Sequence, residues 1–203
     1  RVDQALFGIV QGGTDPELRA RSASATAALG FPGFGIGGLS VGEPAEERDG
    51  AVAAAVTELP DDKLRFVMGL GDTEGVLAAI ALGADLFDCV WPTRLARHGK
   101  VLSRFGDFAI RRVEFATDDR PIDEECPCLA CGRYSRGYLR HLLTTDELSV
   151  YRLLSIHNLV YTLGVMRRAR EAIAAGRFAA LRNRSASERS LPEERRYDRP
   201  TQP

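Results

Sequence analysis

Short apolar runs alternate with longer amphipathic stretches through the first part of the chain: ALFGIVQ, PELRARSASATAALG, GFGIGGL, AEERDGAVAAAVTEL, LRFVMGL, TEGVLAAIALG and LFDCVW. The short runs read as buried strands and the stretches between them as helices. Strand and helix in regular alternation predict a parallel α/β fold, and four such units make about half of an eight-stranded (β/α)8 barrel, the TIM barrel. Asp15 before Pro16, and Asp72 or Thr73 ahead of Glu74, mark helix starts; Gly30 and Gly83 mark helix ends. After Trp91-Pro92 the rhythm changes to the β-like pieces VLSR and FAIRRVEF, then to ECPCLACG and two helical patterns. The pattern predicts barrel units over 1–100, an inserted subdomain around the cysteines over 101–160, and a terminal helix over 161–183. From residue 184 to 203, charge, Ser and Pro displace core residues, and a disordered tail is expected.

A hydrophobic content of 44% in 203 residues suffices for a packed core. No apolar run is long enough to cross a bilayer and no secretion signal is visible, so the expectation is a cytoplasmic protein with no membrane contact. The chain starts on Arg1 and opens straight into a strand-like run, which predicts a further segment upstream. Charge is uneven: residues 1–132 carry 13 basic and 21 acidic side chains, residues 133–203 carry 14 arginines and 7 acids. An arginine surface suits a polyanion such as RNA, although arginine-rich helices are also common as solvated faces.

Cys126, Cys128, Cys131 and His157 offer four ligands to one metal, the number that a closed, structural tetrahedral zinc site uses, which makes the inserted subdomain zinc-binding. Cys89 stands apart as a small buried hydrophobe. Polar and glycine residues gather where the predicted strands end, the place where parallel α/β folds collect functional groups. Gln11-Gly12-Gly13 follows the first strand, Gly37-Gly38-Leu39 the second, Met68-Gly69-Leu70-Gly71 the third, and Asp88 lies within the fourth. Glycines there admit a flat ligand or simply make turns. Gln11 can read a nucleobase edge or satisfy turn backbone. Asp88, flanked by Phe87 and Cys89, is a candidate nucleophile at an anomeric carbon, with a turn-capping aspartate as the alternative. Thr93, Arg94, Arg97, His98 and Lys100 just downstream form a cationic loop suited to phosphates.

FGIVQGG, GFGIGGLSVGEP, VMGLG, DLFDCVWPTRLARHG and CPCLACG with a later histidine, in this order, resemble the C-terminal half to two-thirds of bacterial queuine tRNA-ribosyltransferases, the tRNA-guanine transglycosylases. The resemblance ends near GRF at residues 176–178. It implies a zinc-containing (β/α)8 barrel that exchanges the wobble guanine of tRNA for a 7-deazaguanine. Asp88 would be the nucleophile on ribose C1′. Gln11 and the Gly38 backbone would bind the base, with Leu39 and Met68 shaping its pocket. Gly69, Leu70, Gly71, Asp72, Thr73, Glu74 and Gly75, with Thr93, Arg94, Leu95, Ala96 and Arg97, match segments that contact the tRNA anticodon loop, and the Cys3His set matches the zinc ligands. Val41 matches the bacterial form, which takes 7-aminomethyl-7-deazaguanine. The resemblance also admits a homodimer, and it places a general acid/base aspartate, a second base-reading aspartate and a stacking aromatic upstream of this sequence. Two other classes compete. A noncatalytic tRNA-binding or partner subunit would be expected to lose the nucleophile or the ligands, and a zinc-stapled structural domain has no need of TRLAR beside an aspartate.

Overall fold

In the computed structural model, which describes residues 3–191, the chain forms two compact units, the first ending at Val90 and the second beginning at Trp91. The first unit is α/β. Its strands β1 (Gly8–Val10), β2 (Gly33–Ile36), β3 (Leu64–Val67) and β4 (Leu86–Phe87) pair in that order, all parallel. Helices α1 (Pro16–Ala27), α2 (Ala45–Glu58) and α3 (Thr73–Ala81) make the crossovers. The punctuation acts as expected: Asp15 accepts from the Glu17 and Leu18 amides with proline at the first turn, and Asp72, rather than Thr73, accepts from the Gly75 amide.

Register sorts the sheet into two faces. Val10, Phe34, Ile36 and Val67 lie on one and are essentially inaccessible. This is the helix-covered face, since a Cβ at Gly8 would press on Thr26 of α1 and the Arg65 guanidinium donates to Leu59 O beside α2. The other face carries Ile9, Gly35, Phe66 and Leu86 in one row, preceded by Gly33 and Leu64. Ile9, Leu64 and Leu86 are exposed there despite being apolar.

The second unit is mainly helical: α4 (Trp91–Arg97), the antiparallel pair β5 (Lys100–Val101) and β6 (Phe108–Ala109), α5 (Leu129–Arg133), α6 (Arg136–Thr144), α7 (Ser149–Ala174) and α8 (Phe178–Arg189). Its core joins Ala96, Val101, Phe108, Ile110, Phe115, Leu139, Leu143, Val150 and Leu154. Gly99 ends α4 at φ 70°, where a Cβ would stand 2.4 Å from Leu143, so both conformation and space select glycine.

Three expectations change. TRLAR is helical, because proline is tolerated in a first turn and Arg94 and Arg97 suit a helix C-terminus. FAIRRVEF is not one strand: after β6 it tightens into a 3-10 turn over Val113–Phe115. Helix α8 covers the start of the segment expected to be a disordered tail; it buries no residue, so its sequence shows no apolar stripe. Residues 192–203 of that tail lie outside the described residues.

Candidate active site and metal centre

Two residues beyond the row Ile9, Gly35, Phe66 and Leu86, the four strands deliver Gln11, Gly37, Met68 and Asp88. The ladder continues to this level through the Gly37 amide on Val10 O and the Met68 amide on Ile36 O, both 3.1 Å. Side chains two apart share a face, so the sheet geometry aims this second row to the same side as the first. The contacts agree: at Gly37 a Cβ would lie 2.9 Å from Gln11 Nε2 and 3.5 Å from Met68 Sδ. The Gly69 N–H donates to Asp88 Oδ1 at 2.9 Å, and the second carboxylate oxygen has no hydrogen bond among the described residues. Asp88 stands just past β4 and is exposed, whereas the sequence suggested a carboxylate within a buried strand. The cause is the brevity of β4, two residues at the margin of the sheet.

Gly38 is at φ 69°, in the left-handed region that favours glycine, and a Cβ there would lie 2.4 Å from Gln11 Oε1 and displace that side chain. Leu39 is buried, and Met68 half-buried. Beyond them Glu43 accepts from the amides of Ser40 and Val41 and holds Ser40 at φ 62°, in the left-handed region. Burial pushes the Glu43 carboxyl up, but these amides outweigh it and keep it below its ordinary range. Val41 is 86% exposed.

Of the turn expected to meet RNA, Leu70, Thr73 and Gly75 are buried, whereas Gly69 and Glu74 are exposed and Gly71 and Asp72 are half-buried. On α4 the split follows helix periodicity: Arg94 and Arg97 are exposed, Thr93 and Leu95 half-buried, and Ala96 fully buried in the core.

In the second unit the ligand atoms of Cys126, Cys128, Cys131 and His157 lie within 4.8 Å of one another, and none of the four cysteines is in a disulfide. His157 Nδ1 is 3.6, 3.7 and 3.3 Å from the three sulfurs. Bonds of about 2.3 Å to sulfur and 2.0–2.1 Å to nitrogen, at tetrahedral angles, separate such ligands by about 3.6 Å. His157 Nε2 lies 3.0 Å from Leu102 O, which can only accept, so Nε2 carries the proton and Nδ1 faces the sulfurs. Burial pushes the imidazole down, but hydrogen bonding with Cys126 and Cys128 outweighs it and raises the group to about 9. Hydrogen bonds from Cys126 and Cys131 pull the Cys128 thiol down, and the same cluster pushes Cys131 up. The donor set and spacing fit one zinc ion, which when bound would neutralise thiolate charge and tie the 126–131 loop to α7.

Comparison with known proteins decides the family. The family model described as Queuine tRNA-ribosyltransferase matches residues 1–190. The chain belongs to the queuine tRNA-ribosyltransferase family. It is 49% identical over 178 residues to the Queuine tRNA-ribosyltransferase of Moorella thermoacetica, covering 88% of this chain and 48% of the relative. It is 51% identical over 180 residues to that of Symbiobacterium thermophilum (89% and 45%), and 49% over 189 residues to that of Nitratidesulfovibrio vulgaris (93% and 50%). The chain thus spans about half the length of the curated relatives it matches.

Within this chain, sequence reasoning passed over Arg19 and Asn158, both fully buried. Asn158, next to the zinc ligand His157, accepts from the Leu102 amide and donates to Pro92 O and Lys100 O, joining α7 to α4 and β5. Sequence carried no signal for either, since a single polar residue on a helix reads equally well as a solvated position. No helix among the described residues is long and apolar enough to cross a membrane.

Proposed function

We propose that this chain supplies the nucleophile, part of the base pocket and the zinc centre of a cytoplasmic tRNA-guanine transglycosylase. The observation that carries the reading is the strand-end row of Gln11, Gly37, Met68 and Asp88, a carboxylate aligned with groups that can read a heterocycle. Asp88 would attack ribose C1′ of the wobble nucleotide. The bond from C1′ to N9 breaks as the C1′–O bond to the carboxylate forms, and guanine leaves with its electron pair and takes up a proton. A 7-deazaguanine, 7-aminomethyl-7-deazaguanine for a Val41 enzyme, then attacks the same carbon through the nitrogen in the N9 position. It gives up its proton, the carboxylate departs, and two inversions leave configuration retained. The Gly69 amide fixes one Asp88 oxygen and leaves the other to react. Gln11 and the Gly38 backbone would read the base between Leu39 and Met68. Arg94 and Arg97, with the exposed part of the 69–75 turn, would meet the anticodon loop, and a homodimer is the proposed assembly.

The barrel belongs to the same proposal. An open sheet face bearing Ile9, Leu64 and Leu86 beside Phe66 is what the inner face of a (β/α)8 barrel would present before further strands close it.

The test uses the full-length protein that contains this sequence. Asp88→Asn preserves size and removes the anion. Labelled guanine incorporation into tRNA should fall on the order of 10⁴-fold or more. No denaturation-resistant protein–RNA adduct should form, while the anticodon stem-loop still binds. An adduct in the Asn variant, or exchange at the parental rate, would place the nucleophile elsewhere.

A further inference from the structure

Arg19 projects from α1 with none of its side chain exposed. Among the described residues its acceptors are four backbone carbonyls and no carboxylate: Nε donates to Gly13 O at 2.7 Å, one terminal nitrogen to Val10 O at 3.2 Å and Gly37 O at 2.8 Å, and the other to Gly38 O at 3.4 Å. Gly13 and Val10 flank Gln11 at the end of β1, and Gly37 and Gly38 form the loop that leaves β2. One guanidinium therefore spans the two loops that carry the base-reading groups.

A buried cation without a carboxylate partner is a poor choice for stability alone, because apolar packing of similar volume is often as stable. Burial lowers the affinity of Arg19 for its proton and the nearby Glu43 charge raises it, yet the guanidinium stays charged. What arginine offers is a planar fork with fixed donor directions. The Gly37–Gly38 peptide is planar and trans, so its C=O and N–H point in opposite directions. Pinning Gly37 O inward on Arg19 turns the Gly38 N–H outward, at a residue that is exposed while Gly37 is buried.

We propose that Arg19 is a positioning residue that orients the Gly38 N–H and sets its distance from the Gln11 amide, and so fixes the geometry in which the site reads a guanine-like base. This rests on the transglycosylase reading above. Arg19 does not touch the base itself.

Arg19→Lys and Arg19→Gln in the full-length protein test it, with Tm and zinc content measured beside guanine exchange and anticodon stem-loop affinity. The expected result is a loss in kcat/KM for guanine of 10- to 100-fold, on the order of a 1 Å misplacement. Lysine should fail to rescue, since it keeps the charge and loses the fork. Stem-loop affinity should stay within about twofold of the parent, with parental zinc content. Parental kcat/KM for guanine in either variant overturns the proposal. So does a loss of stem-loop affinity that tracks a fall in Tm, or failure of both variants to fold, because either assigns Arg19 to stability. A parent that exchanges no guanine removes the transglycosylase reading and this proposal with it; an active parent with indifferent variants removes this proposal alone.

Discussion

Asp118 shows how a single carboxylate can hold a loop. Its side chain is 7% exposed and accepts from Arg120 and, at 3.1 Å, from Arg136 at the start of α6. Burial pushes its carboxyl up, but hydrogen bonding to Arg120 and the Arg136 charge outweigh that and hold it below the ordinary range. A folded-state pKa below the unfolded value gives stability that is fully present above the unfolded pKa, about 4, and is lost as pH falls through the folded one. Denaturant titrations should show Asp118→Asn destabilised by about 3 kcal/mol at pH 7, as expected when one partner of a buried pair is removed. The mutant should lose less stability than the parent below pH 4, and an equal loss would show that Asp118 is not the group that titrates. At this scale legibility followed locality. Cys126, Cys128 and Cys131 announce themselves within six residues, and Asp15 and Asp72 through their position before a helix. Arg19 and Asn158 act across 6 to 66 residues of chain, and nothing in their own neighbourhoods distinguishes them from solvated helix positions.

Helix α4 has a clear division of labour between its faces. Ala96 packs into the core while Arg94 and Arg97 stand in solvent, and Asn158 of α7 holds the Pro92 carbonyl at its start. Replacing both arginines with alanine should leave the fold intact and weaken binding of the anticodon stem-loop. Two lost phosphate contacts should flatten the dependence of log K on log salt by about 1.4 to 1.8. Filter-binding isotherms across a salt series measure this, and an unchanged slope would exclude a phosphate role. The helical state of this segment was hidden because seven residues show no apolar period. Helix α8 was hidden for a related reason: the Arg189 guanidinium holds it to Ser103 O and Asp107, with no buried apolar residue. The four parallel strands were legible because each is a short apolar run between helices, whereas the exposure of Asp88 depended on where β4 stops.

Across the whole molecule, the sheet face that carries Ile9 tests the proposed barrel. Ile9 is 52% exposed in this chain. If further strands close over it in the full-length protein, Ile9→Lys places a charge in a closed interior and should lower stability by several kcal/mol. A change within about 0.5 kcal/mol, the usual range for a surface position, would show that no barrel covers this face. Helix α7 carries a consequence of a different kind. It supplies both His157, which faces sulfurs 26 to 31 residues earlier, and Asn158, which reaches Pro92, 66 residues back. A ribosome makes the chain in the opposite order, so the thiols of the 126–131 loop exist before the imidazole that completes their set. The set of four ligands is thus complete only once α7 has been made, and the same turn of helix holds α4 and β5 through Asn158.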